Sequence, residues 1–117
     1  MLTHLSSERF ENLIADFHGS DKWKFKCMSP TLVVFHMEEH LFAKGFRDAY
    51  DPLKNEFPEI KTYEVIQNED PMIAKAYGIG HFPATLFIPL HGEAKIVEGY
   101  LSPQEVVEDV KKYLLNA

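Results

Sequence analysis

Four consecutive residues, Leu32-Val33-Val34-Phe35, are apolar at odd and even positions alike, and Thr31 leads into them. Successive side chains of a strand leave opposite faces of the sheet. A strand written this way therefore needs apolar cover on both sides, which a sheet carrying helices on both faces provides. The 117 residues must supply that cover from within, and a chain of this length hides roughly two-thirds of its extended-state surface on folding. One domain, 1–117, of α/β class is expected.

The helical material is legible on either side of the run. Ser6 or Ser7 can cap a first helix whose apolar face is Phe10, Leu13, Ile14 and Phe17, with Gly19 beyond it. Lys22 to Lys26 alternates charge with Trp23 and Phe25, which predicts a half-buried edge strand, its lysines guarding it against self-pairing. From about His40 the series Phe42, Phe46, Ala49, Tyr50, Leu53 and Phe57 keeps a helical beat through Pro52, where a kink is expected. Thr62 to Ile66 predicts a strand. Asp70-Pro71 opens a short helix over Ile73, Ala76 and Tyr77 that Gly78 closes. Thr85 to Ile88 and Lys95 to Val97 predict a hairpin around His91-Gly92, and Ser102-Pro103-Gln104-Glu105 is a capping box before Val106, Val107, Val110, Tyr113 and Leu114.

Charge and cysteine count narrow the chemistry. Twelve basic against 18 acidic residues give a net charge of -6, opposite to a nucleic-acid footprint. Met1 to Phe17 is broken by Glu8, Glu11 and Asp16 and does not resemble a signal peptide, and no run approaches the roughly 18 apolar residues of a membrane span. The expectation is a soluble, cytoplasmic protein that engages neither nucleic acid nor membrane. The single cysteine, Cys27, forbids an intramolecular disulfide and a two-thiol redox centre.

The element order, together with Gly78-Ile79-Gly80-His81-Phe82-Pro83-Ala84-Thr85-Leu86-Phe87-Ile88, Gly92 and Gly99, resembles the thioredoxin family over nearly the whole chain. That resemblance implies a three-layer sandwich with a central mixed β-sheet flanked by helices, and a cis peptide bond at Phe82-Pro83. The family's Trp-Cys-Gly-Pro-Cys-Lys centre corresponds here to Glu39-His40-Leu41-Phe42-Ala43-Lys44, so His40 and Ala43 stand where the thiols would be. The family's buried aspartate corresponds to Val34, its nearby lysine to Glu64, and its two tryptophans to His36 and Glu39. Disulfide exchange needs an attacking thiolate and a resolving thiol. Imidazole and a methyl group supply neither, and the resemblance thus implies a redox-inactive relative without catalytic residues or cofactor.

Three functions compete. In this fold an extended client pairs with the backbone of the residue before the cis-proline, so the resemblance implies a protein- or peptide-binding face at Glu39, His40, Leu41, Phe42, His81, Phe82, Pro83, Glu98 and Gly99. Phe42 alternatively points inward as the first core residue of its helix. A second reading keeps thiol-disulfide chemistry through Cys27 alone, which lies before the central strand, at the pole opposite the family's centre. A third uses His36, His40 and His81 as metal ligands, although His36-Met37-Glu38-Glu39-His40 lacks the spacing of the zinc-hydrolase motif.

Overall fold

In the computed structural model, which describes residues 3–20, 22–37, 50 and 53–115, five strands form one sheet: β1 (Thr3–His4), β2 (Thr31–His36), β3 (Lys61–Ile66), β4 (Ala84–Ile88) and β5 (Lys95–Glu98). Their order is β1-β3-β2-β4-β5. β1, β3 and β2 run parallel, while β4 and β5 are antiparallel to their neighbours, so the sheet is mixed. Among the described residues the helices are α1 (Ser7–Leu13), α2 (Leu53–Glu56), α3 (Pro71–Ala76) and α4 (Pro103–Asp109), the last continuing into a π-helical turn over Val110–Leu114.

The doubly apolar run does what its pattern requires. Val33 and Phe35 enter a core built with Phe10 and Ile14 after α1 begins and with Ile73 and Ala74 of α3. Leu32 and Val34 enter a second core with Tyr50, Leu53 of α2, and Val106, Val110 and Leu114 from the C-terminal helix. All six residues of β2 are buried. Two apolar layers, one on each face of the sheet, make the molecule a three-layer sandwich.

Local chemistry sets the ends of the elements. The Ser6 hydroxyl accepts the Arg9 amide at 3.2 Å and starts α1. Ser102 and Glu105 form the reciprocal capping box of α4, at 3.1 and 3.0 Å. Leu115 N–H reaches back five residues to Val110 at 3.0 Å, which closes the π-turn and keeps Val110 and Leu114 on the buried face.

Three expectations need correction. Residues 22–26 are not a strand: the Lys26 amide donates to Ile14 at 2.7 Å, the Tyr77 hydroxyl to the Lys22 carbonyl at 2.6 Å, and the Lys22 ammonium to the Ala76 carbonyl at 2.8 Å. The alternation instead reflects aromatic rings collecting on Tyr77, with Trp23 edge-on at 5.0 Å and Phe25 stacked at 6.4 Å. Lys22 and Lys26 tie the carbonyls of Ala76 and Glu11 rather than guard an edge. α1 ends at Leu13, and Ile14, Ala15 and Phe17 are buried in a turn beyond it, so burial without helical geometry produced the longer periodicity. β1 has only two residues, too few for any alternation to show. The expected kink at Pro52 and the helix before it lie outside the described residues.

Candidate functional site: the cis-proline loop

The loop between α3 and β4 is built from backbone features that particular residues permit. Gly78 ends α3 at φ +71°, a left-handed conformation that glycine adopts without steric cost. Ile79 is buried, and its amide donates to Ala74 at 3.0 Å, which anchors the start of the loop. The Gly80 and His81 amides both donate to Oε2 of Glu98, at 2.9 and 3.1 Å. The Phe82–Pro83 bond is cis, and Gly99, at φ +109°, donates its amide to the Pro83 carbonyl at 2.7 Å.

Phe82 lies between these anchors. Its side chain is half-buried against the core of the α1 and α3 face, so the ring belongs to the fold more than to an open apolar patch. Among the described residues, no hydrogen bond takes its N–H or C=O. Pro83 is buried; His81 and Glu98 are exposed; Gly99 is intermediate. The two amides, with His81 adding to them, hold the Glu98 carboxyl below the usual glutamate range.

Beside the loop, His36 ends β2 and is buried. Its Nε2 lies 2.8 Å from Oε1 of Glu64 and its Nδ1 3.2 Å from the Met37 carbonyl. A carbonyl only accepts, so the contact with Met37 fits Nδ1 as the donor on that side of the ring. Glu64 is directly across from Val34 in the β2–β3 register. The position that the resemblance gives to a buried aspartate thus holds valine, yet a buried carboxylate stands one strand away. The mark of this in the sequence is a charged residue at an inward position of β3, legible only once the pairing is known.

Glu39, His40, Leu41, Phe42 and Ala43 lie outside the described residues, so the structure brings together His81, Phe82, Pro83, Glu98 and Gly99 of the expected face. His36 makes the contacts just given, and among the described residues neither it nor His81 joins a group of potential metal donors. The group that does occur, His4, Glu69 and Asp70, has donor atoms within 4.8 Å of one another. There, Oδ1 of Asp70 already accepts the Ser7 amide and hydroxyl at 3.0 and 2.7 Å, which ties α3 to α1. Cys27 is half-buried beside a cleft of about 260 Å³ that Leu13, Thr31 and Tyr63 also line. Burial raises its thiol above the ordinary range, with a Thr31 hydrogen bond opposing. Among the described residues no helix is long and apolar enough to cross a membrane.

No family model matches the chain. Its sequence is similar to the thioredoxin of Borreliella burgdorferi, 25% identical over 113 residues that cover 96% of each chain. Its fold is similar to that of chloroplastic thioredoxin z, with a TM-score of 0.77 and 18% identity over 96% of this chain and 93% of that one. A chain from a structural study of thiol resolution in yeast mitochondrial 1-Cys peroxiredoxin via glutathione/thioredoxin systems matches with a TM-score of 0.74 at 18% identity, covering 95% and 94%. Taken with the strand order and the cis-proline loop, these similarities show a thioredoxin-like fold over nearly the whole length of the chain.

Proposed function

We propose that this protein binds an extended segment of another protein along its cis-proline loop and does not turn over disulfides. The observation that carries the reading is the backbone of Phe82, held between two anchored stretches with its own donor and acceptor not taken among the described residues. Main-chain pairing of a client with such a backbone needs no sulfur. The chain has a single cysteine, and that thiol is raised by burial, away from the thiolate form that attacks disulfides.

A peptide array followed by N-methyl scanning tests it. Peptides selected for binding are remade with one backbone amide methylated at a time. Docking by strand pairing expects loss at alternate positions, accompanied by movement of the Phe82 amide resonance. Peptides whose binding is indifferent to every methyl group, with Phe82 unmoved, would overturn it.

The similarity to thioredoxins supports a second reading, residual oxidoreductase activity through Cys27. Insulin reduction driven by a thioredoxin reductase separates the two. Turnover above background that Cys27→Ser abolishes would establish the second and remove the first.

A further inference from the structure

The residues Glu98 and Gly99, adjacent in sequence, hold the cis-proline loop at two places. The Glu98 side chain takes the amides of Gly80 and His81 at 2.9 and 3.1 Å, and the Gly99 amide takes the carbonyl of Pro83 at 2.7 Å. Phe82 is the one residue left between the two grips. Two successive amides converging on one oxygen form a small anion-binding concavity of the kind that turns offer to phosphates and carboxylates. Here the chain fills it with its own carboxylate, from 18 residues away.

We propose that Glu98 is the positioning residue of the docking edge: its carboxylate occupies the paired amides of Gly80 and His81 and thereby fixes the peptide plane leading into Phe82. The inference rests on the reading of Phe82 as a client-pairing backbone. It adds a consequence for the client. Because both donors are filled internally, an incoming carboxylate finds no amides there, and a client must engage through its main chain rather than through an acidic side chain or a C-terminus. Bonds from amides to an ionised carboxylate are roughly twice as strong as neutral ones, and they hold a stretch that has neither helix nor strand to order it.

Amide hydrogen exchange on the full chain, at one fixed neutral pH, tests this in the wild type, Glu98→Ala and Glu98→Gln. The alanine variant is expected to exchange about tenfold or more faster at Gly80 and His81. Val97 and Gly99 should stay protected, and glutamine, which keeps an acceptor oxygen but no charge, should restore only part of the loss. Unchanged exchange at Gly80 and His81 in the alanine variant overturns the proposal, and so does equal acceleration throughout β4 and β5. Should the alanine variant not fold, the wild type still decides: the Gly80 and His81 nitrogen shifts must move together as the Glu98 carboxyl resonance titrates, and flat amides overturn it. Peptide binding to the same proteins is read separately. Altered exchange with no peptide bound by any of them upholds the clamp and removes the docking reading alone.

Discussion

His36 Nε2 and Glu64 Oε1 meet at 2.8 Å between the last residue of β2 and the middle of β3, both side chains nearly excluded from solvent. They can meet because Val34 pairs with Glu64 and His36 lies two residues further on the same face, a diagonal cross-strand relation. Removing one partner takes this 2.8 Å contact away from the other in a site nearly closed to solvent. His36→Leu or Glu64→Leu alone should cost about 3–5 kcal/mol, whereas the double replacement should lie much closer to the wild type. Urea unfolding of the four proteins checks this, and additive losses would show that the pair is not coupled.

An acid at position 34, where the thioredoxin resemblance would put a buried aspartate, should harm the fold. Val34→Asp sets a carboxyl among Leu32, Tyr50 and Leu53 and directly across from Glu64. Desolvation and the like charge both raise its proton affinity. The loss, several kcal/mol at neutral pH, should shrink as pH falls and the introduced group takes up a proton. Denaturation midpoints at acid and neutral pH provide the measurement.

Cys27 should behave as a sluggish thiol. Burial raises it, so the thiolate forms only above the ordinary thiol value of about 8.5. Iodoacetamide labelling should be slower at neutral pH than for a free thiol and should rise with an inflection above that value. Labelling as fast as a free thiol would contradict the burial described.

Glu98 carries an opposite shift. Its folded value is depressed, so its hold on the loop is complete above the ordinary glutamate range of about 4.3 and is lost as pH falls through the lower folded value. The Gly80 and His81 amide resonances should therefore report an inflection below that range. An inflection at or above it would mean that the amides do not favour the ionised form.

The cap of α4 is open to a simple test. Ser102→Ala removes the acceptor for the Glu105 amide and should cost about 1 kcal/mol, with the sheet unaffected. Thermal melts and far-ultraviolet circular dichroism measure both parts.

Much of this architecture follows from local pattern. The doubly apolar β2, the capping box of α4, and the α3 boundaries at Asp70-Pro71 and Gly78 are short-range signals whose physics acts within a few residues. Lys22 to Lys26 shows where such reasoning fails. Alternation of residue type here does not record alternation of burial: Trp23 is 48% exposed and Phe25 partly buried, both in a turn whose rings pack on Tyr77. The two-residue β1 gives periodicity nothing to act on.

By itself the sequence determined a sheet covered on both faces and the single thiol, because composition and short-range patterning are properties of the chain before it folds, while the loop ending in Phe82-Pro83 was legible through its resemblance to the thioredoxin family. Tertiary structure alone decided that Glu64 answers His36 across 28 residues and that Glu98 closes on Gly80 and His81 across 18 and 17. Those contacts depend on strand register and on two loops meeting in space, where a side chain's partner is set by what pairs with its strand and not by what neighbours it in sequence.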